Sequence, residues 1–412
     1  MSASRRPRIT TSAFPEPPGV VVDNSLVASH AANAKLLQRM NERAVLEGIR
    51  LGHPISRAEI ARRLGLSKPT VSTALQALYD AGLVREASEA IYPHFGATFY
   101  EPAFEAAHVL AFDVGTRFLR GALCDLGGEV RARVDIDVSG RQADEILRRA
   151  RDLRDQLLQT AGVSLGEIDG AVLGVPGVIE GGERLALGNV PGLDGITVGE
   201  IRELIGLEVA VENDINLAAT GERWRGVGQG VDDFAYLSVG SGIGAGLILD
   251  GKLRRGRNGA AGEMEYVGAG TLADDPCARG IASCAVALLA DGGHRTTMEP
   301  PYDPPTVFAA ARHGDELAIA VVNEEVRRIA RYIEAIAAIV DVQMVVLGGG
   351  IGANEDVLLA PLRTALASRL PYPPALEVSR LGDAAVVTGA LALGLDSALE
   401  RVVARRRPVT AA

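Results

Sequence analysis

The sequence predicts two architectures in one chain: a small, helix-rich winged domain at the N-terminus and a larger α/β body. Three observations predict it. Ser56, Gly65, Ser67 and Pro69 punctuate two short amphipathic helices between Ile55 and Val84. Beyond Pro102 the pattern changes to buried strands, such as His108 to Asp113 and Phe234 to Gly240, separated by Gly-rich turns and helical stretches. The length of 412 residues with 47% apolar content exceeds one ordinary core and predicts two or three.

The chain carries a net charge of −10, yet its first hundred residues hold twelve Lys and Arg against eight Asp and Glu. A basic end on an acidic protein fits a polyanion partner, but so small an excess fits a solvated surface equally well. Cys124, Cys277 and Cys284 are too few and too unevenly placed for a disulfide framework, and no charged n-region followed by an apolar h-region opens the chain. These features predict a reduced, cytoplasmic protein. The stretches Ile329 to Val340 and Ala384 to Leu395 are short of the roughly 20 residues that span a bilayer, so no membrane segment is expected.

Residues 1–30 are assigned to a flexible arm, because Met1 to Asp23 is rich in Ser, Pro and Arg without periodicity. Residues 31–103 are assigned to a separate winged helix-turn-helix domain. Its first helix, Ala31 to Leu51, turns Leu36, Leu37, Met40, Ala44, Leu46 and Ile49 to one face, and His53-Pro54 stops it. Ser56 with Glu59 is a capping box for the helix Arg57 to Leu64, and Gly65 supplies the turn. Ser67 caps the next helix, in which Val71, Ala74, Leu75 and Leu78 form a buried stripe. That leaves Lys68, Thr70, Ser72, Thr73 and Gln76 outward. Short hydroxyl and amide side chains near a helix N-terminus suit base edges in a major groove, with Lys68 on phosphate. A solvated face on a structural hairpin is the alternative; the agreement of cap, turn and stripe at consecutive positions favours DNA. Gly82 to Arg85 and Tyr92 to Tyr100 read as the strands of a wing.

In the body, His108 to Asp113 and Leu119 to Asp125 form a hairpin around Val114 to Arg117. Ala171 to Gly177 ends a strand in a Pro-Gly loop, and the strand Leu207 to Val211 runs into Glu212-Asn213-Asp214. An amide beside a carboxylate at a strand exit suits a polyol, with Asp214 placed to take a hydroxyl proton; the same pair also suits capping of the helix Ile215 to Trp224. Gly240-Ser-Gly-Ile-Gly-Ala-Gly246 runs into the strand Leu247 to Asp250, so it joins two strands and is not a dinucleotide fingerprint. Met344 to Gly350 is a strand meeting a Gly-rich turn, and the helix Asn323 to Val340 is read as core.

Taken in order, Val211 to Asn216, Ser241 to Gly246, Gly251, Gly256, Gly259, Ala261-Gly-Glu263, Gly348-Gly349 and Gly389-Ala390 resemble the ROK family, in its regulator branch with an N-terminal winged helix-turn-helix. The resemblance implies an actin-like ATPase (ribonuclease H-like) fold of two lobes, placed at 104–230 plus 385–405 and at 231–384. It implies sugar between the lobes, on Gly177, Asn189, Asn213, Asp214 and Glu263, and in the kinases ATP over the glycine loops. Gly115, Gly242, Gly244 and Gly349 are then the vestiges of those loops, and Asp214 is the catalytic base if the chain is a kinase.

The departures from the family pattern shape the expectation. The kinase loop Asp-x-Gly-Gly-Thr becomes Asp113-Val-Gly115-Thr116-Arg117, with a large cation where a small residue belongs. The zinc motif keeps Cys277 and Cys284, but Arg279 and Tyr266 replace its other Cys and its His, so no metal is expected. Tyr266 and Val286 also stand at sugar-contacting positions, and His94 to Thr98 replaces the arginine-bearing wing tip. The expected function is a transcriptional regulator, a repressor of carbohydrate-related genes, with no cofactor and without ATP. Its expected partners are a double-stranded DNA operator, a sugar or sugar phosphate effector, and itself as a homodimer or dimer of dimers. The alternative is a ROK-type sugar kinase.

Overall fold

The structure, a computed structural model, describes residues 24–88, 97–188, 190–267 and 274–405. The N-terminal head comprises α1 (Asn24–Gly52), β1 (Ile55–Ser56), α2 (Arg57–Leu64), α3 (Lys68–Asp80), β2 (Val84–Glu86) and β3 (Phe99–Pro102). Helix α1 starts inside the expected arm, since no Gly or Pro interrupts the chain from Asn24 to Glu47. Its buried face is also narrower than the periodicity predicts. Val45, Leu46 and Ile49 enter the head core, whereas Leu36, Leu37 and Met40 are exposed.

Ser56 caps α2 by accepting from the Glu59 N–H at 3.3 Å, but the expected capping box closes on one side only. The Glu59 carboxylate turns outward to accept from Arg62 and Arg63. Gly65 takes the left-handed conformation that reverses the chain (φ 63°). Ser67 accepts from the Thr70 N–H, and Val71, Ala74, Leu75 and Leu78 are buried with Ile60 and Ala61 as predicted. The wing strands lie further along than expected, with β2 pairing Val84 to Pro102 of β3 and β1 pairing on the other side of β3. The expected wing stretch Tyr92 to Gly96 lies outside the described residues.

The body begins with β4 (His108–Val114), β5 (Phe118–Asp125), β6 (Val130–Asp137), α4 (Ala143–Ala161) and β7 (Ile168–Val175). A small hairpin, β8 (Val178–Glu180) and β9 (Arg184–Ala186), precedes α5 (Val198–Ile205), β10 (Ala210–Asn213) and α6 (Asp214–Arg225). These strands build a sheet in the order β10-β7-β4-β5-β6, parallel through β10, β7 and β4 and antiparallel beyond. Strand β10 starts three residues later than predicted. Its register is fixed by β7, Ala210 against Val172 through Asn213 against Val175, so the pairing carries Glu212 and Asn213 to the end of the sheet.

A second sheet, in the order β13-β12-β11-β14-β15, follows from β11 (Phe234–Val239), β12 (Ile243–Leu249), β13 (Lys252–Arg254), α7 (Ala278–Ala290), α8 (Pro304–Arg312), α9 (Glu316–Val340), β14 (Met344–Gly348), α10 (Gly349–Gly352), α11 (Glu355–Arg369) and β15 (Ala375–Val378). Helix α9 starts before Asn323, capped by Asp315, and buries Val326, Ile329, Ala330, Ile333 and Ile336 in that lobe's core as expected.

The chain then returns to the first sheet as α12 (Ala385–Arg405). Val387, Ala390, Leu391, Leu395 and Ala398 pack with Val109, Ala111, Val172 and Leu217, while Leu399 and Val402 join the head core. An 18-residue stretch within 382–402 has a mean hydropathy of 1.3, which meets the length and composition of a membrane-crossing helix but is equally that of a core helix. Half of that span is buried within the protein, against α6 and the first sheet. The crossing with α6 is close because Gly389 and Gly221 are bare: a Cβ on Gly389 would overlap the Leu217 carbonyl, and one on Gly221 the Ala385 carbonyl.

Candidate functional site

Two surfaces carry the predicted site residues. On α3, Lys68, Thr73 and Gln76 are exposed and Thr70 and Ser72 partly so. Three of the five side chains have local partners: Thr70 Oγ1 lies 2.8 Å from Ser67 Oγ, Ser72 Oγ donates to the Lys68 carbonyl at 2.9 Å, and Gln76 Nε2 donates to Asp80 at 2.8 Å. Among the described residues Lys68 and Thr73 have no side-chain partner, which leaves them the most available donors on this face. Sequence reasoning passed over two exposed guanidinium groups on α2. Arg62 and Arg63 share Glu59, whose carboxyl they pull down to about 2.

The second surface is a cleft of about 780 Å³ between the two sheets' lobes. The first lobe supplies Gly115, Thr116, Arg117, Gly177, Asn213 and Asp214, and the second supplies Gly240 to Ile243, Glu263, Arg279, Gly349 and Gly350. The fold therefore gathers Gly115, Gly177, Asn213, Asp214, Gly242, Glu263 and Gly349 from six separate segments. Asn189 lies outside the described residues. Gly244 does not belong to a phosphate loop as expected, because β12 already begins at Ile243. Its bare Cα, like that of Gly246, instead admits α6: added Cβ atoms would strike Ile215 and Ala219.

Asn213 performs the cap and faces the cleft together. Its Oδ1 accepts from the Asn216 N–H at 2.9 Å, and its Nδ2 donates to the Gly177 carbonyl at 3.0 Å, tying the Pro-Gly loop to the start of α6. Glu212, buried beneath, accepts from the Asn213 N–H and Asn216 Nδ2 at 3.0 Å and pairs with Arg255 at 2.5 Å. That network spans 43 residues of sequence, and no local signal announces it.

Asp214 accepts from the Ile215 N–H at 2.9 Å and remains partly open to the cleft. Burial, and then the charge of Asp113, push its carboxyl up to about 7. Asp113 is pushed up to about 6 by burial, against the pull of Arg120 at 3.1 Å. Arg120 also reaches Asp135 at 3.7 Å and Asp383 at 3.6 Å, so one guanidinium gathers three carboxylates at the head of the cleft. Glu263 is raised by burial and by Glu265.

At the Cys277 loop Arg279 stands where the resemblance places one of the zinc thiolates, so the residues present do not complete that ligand set. Burial pushes the Cys277 and Cys284 thiols up. Arg328 reaches this loop instead, donating to the Asp275 carbonyl at 3.2 Å.

Residues 109–397 match the profile of the ROK family, and residues 37–90 that of the MarR family. The chain belongs to the ROK family. Some relatives match nearly the whole chain and others about two thirds of it. A xylose repressor of Caldicellulosiruptor bescii is 27% identical over 398 residues, 89% of this chain and 98% of the relative. An N-acetylmannosamine kinase of Escherichia coli O1:K1 is 30% identical over 282 residues, covering 66% of this chain and 91% of the kinase. The crystal structure of a ROK family transcriptional regulator, a homolog of the E. coli MLC protein, superposes with a TM-score of 0.74 at 24% identity, over 90% of this chain and 98% of that one. The fold of this ROK protein is thus a winged-helix head on a two-lobed actin-like ATPase body, as its sequence predicts.

Proposed function

We propose that this ROK protein is a cytoplasmic transcriptional repressor of carbohydrate-related genes, released or retained on its operator by a sugar-class effector in the interlobe cleft. The observation that carries the reading is the reach of α12. The turn entering it places Asp383 on the cleft wall against Arg120. Its middle is locked to α6, whose first residue is Asp214. Its end supplies Leu399 and Val402 to the head core, and Arg43 of α1 pairs with its Asp396 at 2.9 Å and Glu400 at 3.2 Å. A helix that packs on the cleft-lining lobe at one end and on the head core at the other offers a direct route for lobe closure to reach the head. A dimer presents two α3 helices about one helical turn of DNA, roughly 34 Å, apart, and a change of head angle alters that spacing. The effector must bind the two lobe arrangements unequally, because equal binding shifts nothing.

The xylose repressor relatives support this reading. The proposal includes neither zinc nor ATP, because Arg279 stands at a metal-ligand position and Arg120 engages Asp113. One observation favours a second reading, a sugar kinase: Asp214 stands in the cleft with a carboxyl near neutrality, as a general base requires. A phosphotransfer assay with ATP across hexoses and amino sugars separates the two. Sugar phosphate formed by the wild type and not by Asp214→Asn establishes the kinase; no turnover, together with retention of specific genomic fragments at physiological salt, supports the repressor.

A further inference from the structure

The second-lobe wall of the cleft includes the start of α7 and the loop before it, with Asp274, Asp275, Cys277 and Arg279 on the lining. This is the stretch in which the family resemblance implies a zinc ion. Arg279 and Tyr266 stand where that motif has its other Cys and its His. The two thiols that remain are also far apart. Cys277 precedes the first turn of α7 and Cys284 lies seven residues along it, so the helical rise separates their Cα atoms by about 10 Å, whereas thiolates sharing one zinc each lie about 2.3 Å from it. Among the described residues no three His, Cys, Asp or Glu side chains gather as a metal site.

Helix α9 holds the loop in another way. Arg327, Arg328 and Arg331 meet Asp274, Glu324 and Glu325, three guanidinium groups against three carboxylates. Asp274 pairs with Arg331 and, at 3.8 Å, with Arg327. Arg328, 3% exposed, donates to the Asp275 carbonyl at 3.2 Å and lies 3.6 Å from Glu325 and 3.7 Å from Glu324. It also rests against the Cys284 thiol. Glu325 is wholly buried, and among the described residues neither of its oxygens has a hydrogen-bond partner. Burial pushes its carboxyl well above the ordinary range, and Arg328 is the main influence drawing it back. Gly280 lets the loop approach so closely, since a Cβ there would overlap the Asp275 carbonyl. From Asp275 the hold passes to the cleft: its carboxylate accepts from the Cys277 N–H at 2.8 Å, and the Ala278 N–H donates to the Gly240 carbonyl at 3.0 Å.

We propose that Arg328, backed by Glu325 and flanked by Arg327 and Arg331, takes the place of a metal in fixing the α7 wall of the cleft. A guanidinium is always charged and offers several donors in one plane, so a single side chain can gather a carbonyl, a thiol and carboxylates from three segments, as a metal would. Arg328 is a positioning residue: it acts on the lining through Asp275 and Cys277. The inference stands whether the cleft serves a repressor or a kinase.

The test uses the full chain without ligand. Metal analysis should find no stoichiometric zinc, and EDTA should leave the melting temperature unchanged. Hydrogen exchange followed by mass spectrometry then reads the loop. Arg328→Met should speed exchange over 274–281 by about tenfold or more, with β4 and β7 of the first lobe exchanging as in the wild type. If that variant does not fold, Arg331→Ala, at a half-exposed side chain, should give a smaller increase over the same segment, about twofold to fivefold. Adding Glu325→Gln to Arg328→Met should raise the melting temperature above that of Arg328→Met, because the first substitution removes the buried carboxylate that the second strands. Stoichiometric zinc whose removal by EDTA lowers the melting temperature overturns the proposal, as does wild-type exchange over 274–281 in the arginine variants. A double variant no more stable than Arg328→Met overturns the part given to Glu325.

Discussion

The head and the cleft are both assembled from family motifs, but they differ in how their parts are held. The five candidate residues on α3 fall within nine positions of one helix, oriented by a cap at Ser67 and a buried stripe four residues deep. The cleft draws its residues from two lobes and fixes them through long-range pairs such as Glu212 with Arg255 and Arg120 with Asp383. Local construction keeps a recognition surface intact while the rest of the chain changes. Distributed construction makes the cleft depend on pairs whose members lie far apart in the sequence.

The largest expected effect breaks the element that the two regions share. Gly389→Val places side-chain atoms where the Leu217 carbonyl of α6 lies, and it should cost about 3 kcal/mol or more, the upper end of core overpacking, because the clash is with backbone. Thermal denaturation should show loss of the cooperative transition of body and head together; a head that still melts normally would contradict their coupling through α12.

Next, Thr73→Ala should separate the regions. It is expected to lose about 1 to 3 kcal/mol on specific DNA and little on random DNA, leaving sugar-induced stabilisation as in the wild type. Equal losses on both DNAs, read by fluorescence anisotropy, would assign Thr73 to the backbone.

Asp214→Asn sharpens the comparison from the cleft side. The folded carboxyl, at about 7, lies above its unfolded value of about 4. The native state therefore holds a proton that the unfolded chain releases between those values, and this group's contribution to stability is complete below the lower one and lost as pH rises through 7. The amide cannot titrate. The variant's melting temperature should gain on the wild type between pH 5 and pH 8, by about 2 to 4 °C for each kcal/mol recovered, with DNA binding unaltered. A pH-independent difference would show that Asp214 is not held protonated.

The smallest effect on stability is expected from Arg43→Ala. Its pairs with Asp396 and Glu400 are exposed and worth under about 1 kcal/mol together. The variant should melt like the wild type yet show a weaker influence of effector on operator affinity. Full retention of that influence would place the coupling in the apolar contacts of Leu399 and Val402 alone.

This contrast also explains what the sequence revealed. The capping serines, Gly65 and the stripe from Val71 to Leu78 were readable because each is a short-range rule satisfied within a few residues. Asn213 and Asp214 were readable because they begin a helix at a strand exit, and the structure shows cap and cleft wall to be one arrangement. Arg120 was not readable, since its three carboxylates come from β4, β6 and the turn before α12. Gly244 was misplaced because alternate glycines read locally as a loop, whereas here they lie within a strand that a helix approaches closely. The reach of α12 into the head was also hidden: its apolar residues are evident in sequence, but whether they meet a sheet, a membrane or another domain depends on a fold the helix does not itself specify.

The central claim is that the cleft controls the head. The most direct test selects genomic DNA fragments with the full-length protein, then measures affinity for the enriched site by anisotropy with and without each sugar and sugar phosphate. The account predicts a specific site whose affinity changes by fivefold to about 150-fold with one of these ligands, the span of a typical coupling free energy. A ligand that binds the protein but leaves operator affinity unchanged would contradict it.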